Sequence, residues 1–153
     1  MTEKLTAGDL CNRIVAFATR DMTVEQAAQL MREHHVGCLV VADDAPEGRL
    51  VVGMLTDRDI VTGAVALSLD PARLSVENLM TAEVITAGEG DSMEDLLTRM
   101  RRKGLRRLPV TTPQGVLVGL VTLDDLLAVM AGQLKALAAA IEIEQLRERQ
   151  LRP

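Results

Sequence analysis

Gly53-Met54-Leu55-Thr56-Asp57-Arg58-Asp59 returns 66 residues later as Gly119-Leu120-Val121-Thr122-Leu123-Asp124-Asp125. In both copies a glycine opens an apolar run, a threonine ends it, and a carboxylate follows three residues on. Upstream, residues 5–41 lie over residues 74–110 without a gap, at a constant offset of 69. Leu10/Leu79, Val15/Val84, Glu25/Glu94, Met31/Met100, Leu39/Leu108 and Val41/Val110 are identical pairs. A long internal repeat decides the architecture before any single element does.

Each copy opens with a short polar-apolar segment, residues 5–10 and 74–79, followed by a short strand expected at 14–17 and 83–86. Thr23-Val24-Glu25-Gln26 and Ser92-Met93-Glu94-Asp95 read as capping boxes that start helices. Val24, Ala27, Ala28 and Met31, like Met93, Leu96, Leu97 and Met100, then fall on one helical face. Two strands follow in each copy, 36–41 with 50–55 and 105–110 with 116–121. Their connections carry Pro46 and Gly48 in one copy and Pro113 and Gly115 in the other, so each pair reads as a hairpin. The second connection is three residues shorter, which accounts for the change of offset. A further helix begins near Thr56 and near Thr122.

The order β-α-β-β-α therefore occurs twice, an α/β fold of the α+β kind. One copy alone is too small to bury a comfortable core. Two copies packed sheet to sheet about a pseudo-twofold axis are expected. The repeats span 5–67 and 74–131, joined by a linker at 68–73 that holds Pro71. A C-terminal helix occupies 132–153. Leu134, Leu137, Ala138 and Ile141 form one apolar stripe on it, and Ala136, Ala140, Ile143 and Leu146 form another. Such a helix needs a partner on both faces; folding back on its own domain and contacting a second copy both satisfy that need.

Composition narrows the function. Apolar residues make up 48 % and charged residues 25 %, the balance of a soluble globular chain. Phe17 is the sole aromatic residue and the net charge is −5, so neither a stacking platform nor a basic face for nucleic acid is present. Apolar stretches look too short for a membrane span. Cys11 and Cys38 sit in apolar contexts with no secretory signal ahead of them, so a reducing, cytoplasmic setting is expected.

Thr-x-x-Asp at a strand-to-helix junction is close to a plain capping box, worth about 1 kcal/mol. The same geometry also suits a ligand. Free N–H groups at a helix start attract phosphate, and a nearby carboxylate can accept both hydroxyls of a ribose diol. By spacing alone, capping is the stronger reading.

Both copies of the motif, in register behind apolar strands (Gly37-Cys38-Leu39-Val40-Val41 and Arg106-Arg107-Leu108-Pro109-Val110), resemble a tandem pair of CBS domains, a Bateman module, over residues 5–131. The resemblance implies a non-catalytic regulatory sensor, usually homodimeric. It would bind adenosine-containing ligands (AMP, ADP, ATP, NAD or S-adenosylmethionine) between its repeats and act on a partner protein still to be identified. It implies ribose contacts from Asp59 and Asp125, with Thr56 and Thr122 at ribose or phosphate. Asp125 and Thr122 would share a cleft with Ala16, Phe17, Ala18, Gly37 and Cys38. Asp59 and Thr56 would share another with Ile85, Thr86, Ala87 and Leu105. Arg58 would serve phosphate in the Asp59 cleft and Arg106 in the Asp125 cleft, because Asp124 stands where the first copy has Arg58.

The same residue types suit binding rather than acid-base or covalent chemistry. His34, His35, Cys38 and Cys11 match no zinc spacing, so no metal and no required cofactor are expected. The competing reading is a ligand-free dimerisation scaffold whose Thr-x-x-Asp sets are helix caps only.

Overall fold

A computed structural model describes residues 4–152. Elements follow in the order α1 (Ala7–Leu10), β1 (Phe17–Ala18), α2 (Val24–His34), β2 (Cys38–Ala45), β3 (Gly48–Thr56) and α3 (Asp57–Ile60), which runs on into a π-helical segment, Val61–Val65. The second copy supplies α4 (Val76–Leu79), β4 (Ala87–Gly88), α5 (Met93–Lys103), β5 (Arg107–Thr111), β6 (Leu117–Thr122) and α6 (Leu123–Leu151). Two three-stranded sheets result, ordered β1-β2-β3 and β4-β5-β6, each with a parallel first pair and an antiparallel second. The expected mixed α/β repeat with a C-terminal helix is the observed one.

The boundaries differ in three informative places. β1 and β4 lie further along than expected, at Phe17–Ala18 and Ala87–Gly88, and pair through two residues each. Residues 13–16 and 82–86 before them form no strand, although Ala16 O accepts from Val40 N at 3.4 Å, and Ile14 is 90 % exposed. The first hairpin turns on Pro46-Glu47 alone, because β2 and β3 pair out to Ala45↔Gly48, where Gly48 adopts φ +135°. Finally, α6 is continuous: the second helix of the second copy and the C-terminal helix are one 29-residue rod.

Each half is completed by the other. Val76 of α4 is fully buried in the core of the first half, with Val24, Leu39, Val41 and Leu55. Ala7 of α1 is fully buried in the core of the second, with Leu96, Leu108, Val110 and Leu126. Matched backbone hydrogen bonds hold the exchange. Ala7 N donates to Asp91 O at 2.8 Å and Gly8 N to Glu89 O at 2.9 Å, while Val76 N donates to Met22 O and Val24 N to Leu74 O, both at 2.8 Å. Bridges Asn12↔Leu120 and Met54↔Thr81 cross the halves again, and Leu50↔Val116 joins β3 to the residue just before β6.

The crossings leave no room for side chains. A Cβ on Gly119 would lie 2.7 Å from Asn12 O and 2.6 Å from Cys11 Sγ; one on the equivalent Gly53 would meet Met80 Sδ at 2.6 Å. Gly119→Ala should therefore destabilise the fold by about 1–3 kcal/mol. Gly132→Ala, at an open position inside α6, should stabilise it by about 1 kcal/mol. Urea unfolding of the two variants checks both signs.

Candidate functional site

All six helix starts of the repeats carry the same reciprocal cap: Thr6/Asp9, Thr23/Gln26, Thr56/Asp59, Ser75/Asn78, Ser92/Asp95 and Thr122/Asp125. The Thr-x-x-Asp set is thus a helix cap in fact, and capping does not single out a site. Position does. Thr56 and Asp59 open onto a cavity of about 480 Å³ between the halves, lined from the first half by Gly37, Cys38, Met54, Asp57 and Arg58, and from the second by Thr81, Glu83, Val84, Ile85, Leu105, Arg106 and Arg107. That volume suits a small-molecule ligand.

The cap leaves capacity at the carboxylate. Asp59 Oδ2 accepts from Thr56 N and from Thr56 Oγ1, both at 2.8 Å, and Oδ1 stands outside these bonds. A carboxylate offers about four lone-pair sites, so one Asp can cap a helix and still accept a hydroxyl. Met54, Val84, Ile85 and Leu105 give the cavity apolar walls, and Arg58, Arg106 and Arg107 line it together with Asp57, Asp59 and Glu83. Flat apolar walls beside guanidinium groups and a free carboxylate oxygen can hold a planar base, an anion and a diol at once.

The structure groups the expected residues differently from the two-cleft scheme. Thr56, Arg58, Asp59, Ile85 and Leu105 converge on this cavity as expected, and so do Gly37, Cys38 and Arg106, which had been set with Asp125. Hairpin register is the cause. Cys38 pairs with Thr56, and Asp57 N donates to Gly37 O at 3.0 Å, so the first copy's β2 start must lie beside its own motif. Arg106 belongs to both neighbourhoods. Its carbonyl accepts from Leu123 N at 2.8 Å and its guanidinium pairs with Asp124 at 3.6 Å, while its side chain lines the Asp59 cavity.

The first-strand residues mostly point elsewhere. Ala18 and Ala87 are buried in the two cores, and Ala16 packs against the first. Phe17 lies under the guanidinium of Arg49, 3.8 Å from the ring centroid, in a separate cavity. Thr86 lines another surface hollow, and its carbonyl accepts from Arg99 at 2.8 Å. Thr122 and Asp125 repeat the Thr56/Asp59 cap but do not line the 480 Å³ cavity. The residues that sequence reasoning missed are Met54, Asp57, Thr81, Glu83, Val84, Gly104 and Arg107. Glu83 and Val84 had been placed in the strand ahead of Ile85; β4 starts four residues later, at Ala87, and leaves them on the cleft wall.

Among the described residues, no group of three His, Cys, Asp or Glu side chains could hold a metal. Cys38 is buried, and that burial, reinforced by Asp59 and Asp57 and opposed by Arg107, pushes its thiol from about 9.0 up to about 11. It is a neutral wall group at physiological pH, not a nucleophile. Site-resolved alkylation should spare Cys38 in the folded protein and modify it after denaturation. Between pH 9.0 and about 11 the unfolded chain holds fewer protons than the folded one, so stability should fall as pH rises through that window.

Known proteins share this fold and sequence. The CBS domain model matches residues 7–65 and 76–132. Hypoxic response protein 1 of Mycobacterium tuberculosis is 37 % identical over 121 residues, 79 % of this chain and 82 % of the relative. An uncharacterized protein of Methanopyrus kandleri is 31 % identical over 82 % of the chain, which spans 62 % of that protein's length. The crystal structure of Hypoxic Response Protein I with two coordinated zinc ions superposes with a TM-score of 0.71 at 35 % identity, covering 80 % of this chain and 97 % of that one. A CBS domain pair solved with 5′-methylthioadenosine and S-adenosyl-L-methionine superposes with a TM-score of 0.73 at 25 % identity, covering 85 % and 98 %. With the repeat, the exchanged helices and the paired Thr-x-x-Asp caps all in place, the chain belongs to the CBS domain family as a tandem pair.

Proposed function

We propose that this CBS pair is a non-catalytic sensor that binds an adenosine-containing ligand in the cavity at Thr56 and Asp59. CBS pairs are regulatory modules and often bind ligands. The observation that carries the finer reading is the Asp59 carboxylate. It caps α3 through Oδ2, leaves Oδ1 outside those bonds, and lines a cavity with apolar walls and three arginines. The ribose diol goes to Asp59, the purine between Ile85, Val84 and Met54, and an anionic or polar tail to Arg58, Arg106 and Arg107. A solved pair that holds 5′-methylthioadenosine and S-adenosyl-L-methionine supports the ligand class. Thr122 and Asp125 provide a second, weaker site, since Asp124 replaces Arg58 beside it. The module acts in the cytoplasm as a homodimer and passes ligand occupancy to a partner protein by shifting its conformational equilibrium. The scaffold reading keeps one observation in its favour, the identical caps at helix starts remote from the cavity.

Asn78 caps Ser75 as an aspartate would, accepting from Ser75 N at 3.0 Å. Asp59→Asn should therefore keep the fold while turning an acceptor at the cavity into a donor. AMP, ADP, ATP, NAD and S-adenosylmethionine are to be titrated in thermal-shift experiments. At a hundredfold excess over Kd the bound ligand adds about 2.7 kcal/mol, and Asp59→Asn should remove most of that gain at unchanged ligand-free melting temperature. No shift with any of the five, or an undiminished shift in Asp59→Asn, would sink this reading.

A further inference from the structure

Beyond the family match, which ends at residue 132, α6 continues to Leu151 with its residues exposed and no described residue covering them. Leu127, Leu134, Leu137 and Ile141 are 56–65 % exposed and Met130 is 40 % exposed. Taken in order, Leu127, Met130, Leu134, Leu137 and Ile141 alternate spacings of three and four residues. This spacing is that of a two-helix coiled-coil seam; Ile143 and Leu146 of the second stripe, 63 % and 58 % exposed, lie beside it. We infer that two copies of this chain pair along this seam, antiparallel, with Leu134 against the partner's Leu137 and Met130 against the partner's Ile141. The inference gives a surface to the homodimer proposed above, rests on that part of the proposal alone, and is independent of the ligand.

Charge sets the direction. Continued past Ile141, the seam positions are Glu144 and Glu148. A parallel pair would stack each on its own copy. The antiparallel pair carries the partner's Glu144 and the partner's Glu148 to the levels of Leu127 and Leu123. Leu123 shares a groove with Arg101, at the basic end of α5. The first turn of α6, with Asp124 and Asp125, then lies beside the partner's last two turns, where the positions of Arg147 and Arg149 outnumber that of Glu148. Opposed helix dipoles favour the same direction.

A bilayer is the competing occupant, because α6 is long and apolar enough by length and composition to cross one. The seam argues for a protein partner. Between Leu126 and Ile141 only 16 residues separate the acidic first turn from Glu142, with Gln133 and Lys135 inside the stretch, and a span needs about 20 apolar residues.

Sedimentation equilibrium should give twice the chain's 16.6 kDa, and Leu134→Glu with Leu137→Glu should return it to a monomer with an unchanged urea midpoint for the body. Should that pair perturb the fold, Leu134→Ala with Leu137→Ala removes the seam without adding charge and should weaken dimerisation at least about tenfold. Spin labels on Gln150→Cys, in a Cys11→Ser, Cys38→Ala background, should lie about 40 Å apart in the antiparallel dimer. A separation of about 10 Å would show a parallel pair and overturn the arrangement. A monomer at every concentration overturns the dimer, and so does a dimer indifferent to both seam variants. Sedimentation with phosphatidylcholine vesicles in place of self-association would assign the helix to a bilayer and overturn it as well.

Discussion

Reciprocal completion of the two cores is the constraint on which the rest of the molecule depends. A repeat of some 65 residues buries too little surface to be secure alone, and here each hands a short helix to the other. Ala7 and Val76 are fully buried in cores otherwise built by the opposite copy. Separating the halves would expose both helix contacts and break the backbone bonds at Glu89, Asp91, Met22 and Leu74. The same crossings build the cleft. Because Thr81 and Met54 exchange backbone hydrogen bonds at 2.8 and 3.0 Å, the residues after Thr81 must run across from Thr56 and Asp59. Gly53 and Gly119 are the conditions for that approach, since only a missing Cβ lets the opposite chain pass so near.

Within this frame, the proposed binding chemistry is laid over structural chemistry. The six caps show that a Thr or Ser followed by Asp, Asn or Gln is simply how this sequence begins a helix. A carboxylate in that role spends one oxygen on two donors and keeps the other. Whether the spare oxygen matters depends on what lies in front of it. For Asp9 and Asp95 that is exposed surface; for Asp59 it is a walled cavity. The motif gave the position of the site in the sequence, while the cavity distinguishes it from its look-alikes.

Much of this was legible beforehand because the repeat is gapless through α2 and α5 and changes offset only in a loop. The capping boxes at Thr23 and Ser92 marked their helices correctly, and the hairpins were announced by Pro and Gly. What escaped was non-local. β1 and β4 pair through two residues each, so no alternation long enough to set their register exists in the sequence. Nothing local says that residues 5–10 belong to the other half's core. The assignment of Arg106 to one cleft was incomplete for the same reason: it pairs with Asp124 beside Asp125 and also lines the Asp59 cavity. α6 was divided because the repeat ends near its middle, yet no Pro breaks it, and Gly132 faces open space where a missing side chain costs only propensity.

Arg106 also shows how a cleft and a distant surface can be joined. Its carbonyl holds the first N–H of α6, its guanidinium pairs with Asp124 in the first turn, and its side chain lines the cavity. The ion pair is exposed and weak, so an anion in the cavity could draw the guanidinium away at small cost. Both contacts lie at the base of a 29-residue helix, a rod about 43 Å long. A tilt of about 5° at its base would move its far end by about 4 Å, enough to take apolar side chains out of contact with a neighbour. The first copy has no such lever, since its helix passes into the π segment within four residues and ends. The repeat thus supplies two similar caps, and the length of the helix behind Thr122 makes that one the place where the proposed binding would be felt elsewhere.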